Sequence, residues 1–208
     1  MAGVWAIVVA AGAGRRFGGA KQYEALAGRR VLDWSVRAAR AVADGVVLVV
    51  APSARARPEP TVDVVVAGAA TRSGSVRAGL AAVPGDAEVV VVHDAARPLA
   101  TAGLFAAVVA AVRGGADAAV PVVPVTDTLR AVGGGRVDRE GLVAVQTPQA
   151  FEPAALRRVH AGDPESTDDA SLVEAAGGKV VVVDGSPENL KITRPPDLTM
   201  AEALLRAR

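Results

Sequence analysis

The chain contains no cysteine, and only 3% of its 208 residues are aromatic. The first absence excludes disulfides, thiolate nucleophiles and cysteine-ligated metals, and leaves the compartment open. The second means that the core must be assembled from Val, Ala and Leu within a 51% apolar composition. Charge of one sign is also lacking: 23 basic against 22 acidic side chains leave +1, and no basic block is interleaved with aromatics. That balance argues against a nucleic-acid-binding surface. Histidine is scarce, with only His93 and His160, and His160 reads as a helix-surface residue. Chemistry built on a histidine base therefore has little to draw on. No apolar run is long enough to cross a bilayer, and the apolar start at residues 4–9 has no basic residue before it as a secretory signal would. No membrane association and a cytoplasmic location are the expectations.

What is present is alternation. Short β-branched runs at residues 4–9, 46–51, 62–66, 89–92, 118–123 and 180–183 predict strands. Segments 31–42, 73–83, 104–112 and 172–176 carry helical spacing between them. Continuous apolar strands separated by helices predict a mostly parallel sheet covered on both faces, a doubly wound, Rossmann-like α/β fold. A length of 208 residues suits one such domain with a substantial core. Ligands in such sheets bind beyond the carboxyl ends of the strands.

At the first such end lies Ala10-Ala11-Gly12-Ala13-Gly14-Arg15-Arg16-Phe17-Gly18-Gly19-Ala20-Lys21-Gln22. Glycines that permit close approach, followed by three cations, are what a backbone needs to cradle a polyphosphate. Phe17 stands where a dinucleotide fingerprint needs its third glycine, and Gly19-Ala20-Lys21-Gln22 is not a Walker A ending. The loop suits a nucleoside triphosphate attacked at its α-phosphate. A second polar cluster, His93-Asp94-Ala95-Ala96-Arg97-Pro98, follows another strand and is expected at the same edge. Residues 125–145 break the alternation, with two extended pieces around Gly133-Gly134-Gly135. They predict a protruding hairpin in which Gly133 and Gly134 form the turn, Val132 faces Gly135 and Thr128 falls opposite Arg139. An arm too polar for the core is most simply packed on a second subunit. Thr167-Asp168-Asp169 reads as a helix N-cap, and Arg194-Pro195 as the start of a last helix.

The chain resembles the 2-C-methyl-D-erythritol 4-phosphate cytidylyltransferase family. The resemblance rests on the glycine loop, Ser75-Val76-Arg77-Ala78-Gly79-Leu80, Val92-His93-Asp94-Ala95-Ala96-Arg97-Pro98 and Asp127-Thr128. It continues through Val137-Asp138-Arg139, Gly141-Leu142, Gln146-Thr147-Pro148-Gln149, Thr167-Asp168-Asp169-Ala170-Ser171 and Asn189-Leu190-Lys191-Ile192-Thr193-Arg194-Pro195. These run in family order from residue 8 to about 200. The implied reaction joins CTP and methylerythritol 4-phosphate with release of pyrophosphate. A phosphate monoester is largely a dianion at pH 7, since its second pKa is about 6, and needs no general base.

By the same resemblance, Arg16 and Lys21 stabilise charge on the α- and β-phosphates. Lys191 and Arg139 address the attacking phosphate, Arg139 in a neighbouring subunit's site or its own. Backbone amides of Ala11, Gly12, Ala13 and Gly14 hold phosphate oxygens, and Ser75 meets the nucleoside. Asp94 and Arg97 bind the polyol hydroxyls or help place the metal, and Thr128 and Thr147 contact phosphate. With no dense carboxylate cluster in the sequence, Mg²⁺ is expected to be held mainly by the CTP phosphates, with Asp94 its one protein contributor. A homodimer through the arm is implied.

The chain departs from the family pattern in a shorter loop between Arg16 and Lys21, in Ala20 where a proline commonly precedes the lysine, and in Ala69-Ala70 near the expected base. Two other readings remain open. One is a ribitol 5-phosphate cytidylyltransferase and the other a nucleotide-binding module without catalysis.

Overall fold

The computed structural model describes residues 3–208. Strand β1 (Val4–Ala10) leads through the glycine loop to a small hairpin, β2 (Ala25–Leu26) and β3 (Arg29–Arg30), and then to helix α1 (Val31–Arg40). Next come β4 (Gly45–Val50), β5 (Val64–Ala67), α2 (Arg72–Leu80), β6 (Val89–Asp94), α3 (Ala102–Arg113) and β7 (Ala118–Pro124). The remaining elements are β8 (Leu129–Arg130), β9 (Arg136–Val137), β10 (Val143–Val145), β11 (Gln149–Phe151), α4 (Pro153–His160), α5 (Asp169–Ala175), β12 (Val180–Asp184) and α6 (Pro195–Arg206).

The main sheet is doubly wound. β1 pairs in parallel with β4 on one side and β6 on the other, β4 continues to β5, and β12 pairs in parallel with β7. Between β6 and β7 runs β11, antiparallel to both, and β10 continues along the same edge of β7. This antiparallel strand is absent from the sequence-based expectation. Gln149-Ala150-Phe151 is only three residues long and has no β-branched side chain, yet all three are buried between two valine-rich neighbours. Tertiary pairing rather than local propensity makes it a strand.

Every residue of β4 is buried, as the apolar strands require of a sheet covered on both faces. One face packs Leu32, Val36 and Ala39 of α1 and Phe105, Val108 and Val109 of α3 against Ala6, Val8, Leu48 and Val91. The opposite face packs Val76 and Leu80 of α2, Leu156 of α4 and Val173 of α5 against Ile7, Val47, Val49 and Val92. A third cluster seats Ala201 of α6 on Leu26, Val31, Leu99 and Ile192. Side chains cap the helix starts: Thr71 Oγ1 accepts from the Gly74 amide, Thr101 from Leu104 and Asp168 from Ser171. Each such cap contributes about 1 kcal/mol. The N-cap expected at residues 167–169 is thus Asp168, and Pro195 opens the last helix as expected.

Two expectations are corrected. The arm does form a hairpin, but Leu129 pairs with Val137 and Arg130 with Arg136. The Ala131 amide donates to Gly135 O and the Gly134 amide to Ala131 O, so the loop is Val132-Gly133-Gly134 rather than two glycines. Gly134 and Gly135 both take positive φ, 104° and 82°, which only this glycine run allows cheaply and which sets the register one residue away from Thr128 opposite Arg139. His160 is not a surface residue. It is buried at the end of α4, because the chain turns there to bring Asp169 against its ring.

Candidate functional site

The carboxyl ends of β1, β4, β5, β6 and β12 lie along one edge, with Val9 beside Asp94, Ala10 beside Val50, and Val50 beside Ala67. The sheet order reverses around β1, since β4 and β5 extend to one side and β6 to the other. That is the switch point at which doubly wound sheets open a ligand crevice. A cavity of about 420 Å³ sits there. Its walls include the glycine loop from Ala10 to Ala13, Lys21, the segment from Ala69 to Arg72, Ser75, Asp94 and Lys191.

The glycine loop is shaped from within. Gly14 has φ +63°, and a Cβ there would lie 1.8 Å from Gly19 O, so the tight return to Lys21 needs glycine. The Phe17 and Gly18 amides donate to Gly14 O, and the Lys21 amide to Gly19 O. The buried Gln22 amide group donates to Ala10 O at 2.9 Å and to Gly12 O at 3.3 Å, pinning both ends of the cradle. The Lys21 ammonium donates to the Ile192 carbonyl, which ties the loop to the segment carrying Lys191. Burial lowers the Lys21 pKa, and the neighbouring Lys191 and Arg16 charges lower it further. A site that crowds cations in this way is relieved by a polyanion.

Lys191 is delivered from the other side. The Asn189 carboxamide donates to Gln146 Oε1 and Thr147 O, the Gln146 carboxamide donates to Ser186 O, and the Ile192 amide donates to Ala96 O. Arg97 does not line the cavity; its guanidinium donates to Asn189 O at 2.6 Å and Val145 O at 3.3 Å, and burial lowers its pKa. Lys191 Nζ then lies 2.5 Å from Asp94 Oδ2, while Arg72 Nε approaches Asp94 Oδ1 at 3.3 Å. Burial disfavours the Asp94 charge, but Arg72 and Lys191 outweigh it and hold the carboxyl well below the usual carboxylate range. Asp94 is the one carboxylate among the residues lining the cavity.

Other expected residues have different surroundings. Ser75 Oγ lines the cavity, donates to Thr71 O at 2.9 Å and accepts from the Ala69 amide at 3.1 Å, so it shapes the 69–72 wall. Thr147 is buried, and its hydroxyl accepts from the Asp94 amide and meets His93 Nδ1, both at 3.1 Å. Burial pushes the His93 pKa down to about 4, so the ring is neutral and serves packing against Phe105. Arg16 is exposed on the loop beside Lys21, outside the lining. Thr128 and Arg139 are exposed on the arm and do not line this chain's cavity; the Arg139 guanidinium donates to the Thr126 carbonyl.

Sequence reasoning missed Arg72, which enters the cavity wall from the first turn of α2 and bonds Asp94 and Asp169. The signal was an arginine directly after Thr71, a good N-cap, at the end of a strand. Among the described residues, no three His, Asp or Glu side chains gather as a metal-binding group.

A Rossmann-like sheet with a glycine cradle and two lysines lining one cavity at the switch point suits an enzyme that acts on a nucleotide. Residues 4–207 match the model of the family described as 2-C-methyl-D-erythritol 4-phosphate cytidylyltransferase, and the chain belongs to that family. A protein of that description from Cereibacter sphaeroides is 44% identical over 215 residues, covering 96% of each chain. One from Rubrobacter xylanophilus is 52% identical over a shorter stretch of 97 residues, 43% of this chain and 42% of the relative. The crystal structure of the Thermus thermophilus cytidylyltransferase superposes with a TM-score of 0.85 at 39% identity, covering 96% of this chain and 98% of that one.

Proposed function

We propose that the cavity at the β1–β6 edge binds CTP and a polyol phosphate, and that the enzyme joins them as the cytidylyltransferases of its family do. The preferred polyol phosphate is 2-C-methyl-D-erythritol 4-phosphate. The observation that carries this is the convergence of Lys21 and Lys191, from chain segments 170 residues apart, on one cavity walled by a glycine loop. In the step itself, an oxygen of the phosphate monoester attacks the α-phosphorus of CTP in line. A P–O bond forms there, the bond to the α–β bridging oxygen breaks, and its electron pair leaves with pyrophosphate. No proton is transferred, because the nucleophile is already a dianion at neutral pH.

The barrier is electrostatic, and the chain's cations meet it. At an effective dielectric of about 20, unit charges 4 Å apart interact by about 4 kcal/mol, so each misplaced cation matters. Lys21 and Arg16 are assigned to the α- and β-phosphates, and the amides of Ala11, Gly12, Ala13 and Gly14 to phosphate oxygens. Lys191 is assigned to the attacking phosphate. Ser75 and the 69–72 wall face the nucleoside, and Ala69 and Ala70 offer it backbone rather than charge. Asp94 addresses the polyol end, with Thr147 holding Asp94 in place, while Arg97, outside the lining, supports the segment that carries Lys191 through the Asn189 carbonyl.

A magnesium ion on the triphosphate would neutralise part of the developing charge. The donor set suits one held chiefly by phosphate oxygens and water, because the cavity offers a single carboxylate, Asp94.

Arg139 and Thr128 are assigned to the polyol phosphate in a second subunit's site. Support for a homodimer comes from the arm, where Leu142 and Val143 are exposed and the Val132 side chain stands fully in solvent. The sheet draws strands from both ends of the chain, consistent with one nucleotidyltransferase domain over residues 1–208. No helix among the described residues is long and apolar enough to cross a membrane, and a CTP-consuming reaction suits the cytoplasm.

The test is product analysis by mass spectrometry after incubation with Mg²⁺, methylerythritol 4-phosphate and each of CTP, UTP, ATP and GTP. A CDP-linked polyol formed with CTP is expected. CTP binding without any nucleotidyl product would favour the non-catalytic module.

A further inference from the structure

Behind the cavity lies a buried polar relay that the reaction does not itself require. Arg72 reaches Asp94 with Nε and, with Nη1, Asp169 Oδ2 at 2.6 Å. The other oxygen of Asp169 lies 3.1 Å from His160 Nε2, and the side chains of Asp169 and His160 are 0% and 3% exposed. Desolvation opposes the Arg72 charge, but Asp94 and Asp169 more than compensate. A guanidinium held on two sides by carboxylates has one orientation instead of many.

The pair also closes a loop. His160 ends α4 and Asp169 opens α5, so their contact brackets residues 161–168. That loop grips the start of α2. Ser73 Oγ donates to Ser166 O and accepts from its amide, both at 2.9 Å. Thr71 Oγ1 donates to Glu165 at 2.8 Å, and Arg77 bonds Pro164 O and Asp163. The start of α2 is the wall assigned above to the nucleoside. None of these groups on α4 or α5 lines the cavity.

We propose that the buried His160–Asp169 pair is a positioning device: it fixes the guanidinium of Arg72 and the 69–72 wall, and thereby the geometry in which the cavity receives the nucleotide. His160 and Asp169 are positioning residues, acting through Arg72 and never touching the ligand. This rests on reading the cavity as the CTP site.

The experiment is a double-mutant cycle on the full chain, reading the Kd for CTP by calorimetry and kcat/KM by pyrophosphate release. Asp169→Asn is expected to weaken CTP binding and lower kcat/KM about tenfold, the scale seen when the outer partner of a site ligand is removed. In an Arg72→Ala background the same change should cost much less, because only the route through the 161–168 loop remains. His160→Gln, which can still donate to Asp169, should keep most of the activity that His160→Ala loses. Fully additive losses, or an Asp169→Asn variant that binds CTP like the parent, would overturn the proposal. If Asp169→Asn does not fold, the His160→Ala and His160→Gln pair with Arg72→Ala completes the cycle. CTP binding that obeys the cycle in a protein without turnover would count against the reaction and for the positioning role.

Discussion

Lys191 Nζ and Asp94 Oδ2 lie 2.5 Å apart although 97 residues separate them in the chain. Asp94 ends the strand beside the glycine loop, and Lys191 follows the last strand of the sheet. The pair exists because parallel strands end at one edge, and it holds a cation at the cavity beside a carboxylate. Lys191→Ala is expected to lower kcat by about 10²–10³, as loss of a single transition-state donor does. The CTP Kd should change only a few-fold. Steady-state kinetics beside calorimetry check this, and near-normal kcat would remove Lys191 from the mechanism.

The cradle itself depends on Gln22, whose buried amide bridges Ala10 O and Gly12 O. Gln22→Ala leaves both carbonyls to find other partners, at about 1–3 kcal/mol of stability. A raised KM for CTP, with kcat less affected, is the expected kinetic signature. An unchanged KM would mean that the loop holds its shape without the bridge.

Arg139 stands outside this chain's cavity. Arg139→Ala should therefore raise the KM for the polyol phosphate while leaving that for CTP nearly unchanged. Mixed with a Lys21→Ala variant, it should recover part of the activity through hybrid dimers, each holding one intact site. A monomer in sedimentation velocity, or no recovery on mixing, would contradict shared sites.

Acid should weaken the fold. His93 is neutral in the folded chain, with a pKa of about 4, whereas the unfolded chain binds its proton near 6.5. The unfolded state then holds more protons between those values, so stability is full above pH 6.5 and falls as pH drops towards 4, by about 3 kcal/mol in all. Asp94 adds to the loss at lower pH, since its depressed pKa contributes stability only above the ordinary carboxylate range. Thermal unfolding at pH 7, 5.5 and 4.5 measures the slope. A His93→Gln variant should flatten it between pH 6.5 and 4, and an unchanged slope would contradict the assignment.

Much of this architecture was legible in the residues. The valine runs announced the parallel strands, because a strand buried on both faces has no polar positions to interrupt it. The glycine loop and the His93–Pro98 segment announced the edge, since both follow such runs. Invisible from local pattern were β11, which is a strand only because β6 and β7 flank it, and the burial of His160 at the end of α4, which Asp169 brings about from the next helix. Asp169 read as part of an N-cap because capping is local, while its bonds to Arg72 and His160 span 97 and 9 residues. The hairpin register slipped by one because three glycines offer two turns, and positive φ at Gly134 and Gly135 chooses between them.

The central claim is that one cavity joins CTP to a methylerythritol phosphate. It is tested most directly by pyrophosphate release with Mg²⁺ and CTP, comparing 2-C-methyl-D-erythritol 4-phosphate with ribitol 5-phosphate. Turnover with the first and little with the second is the expected result. Turnover with ribitol 5-phosphate alone, or with neither, would contradict it.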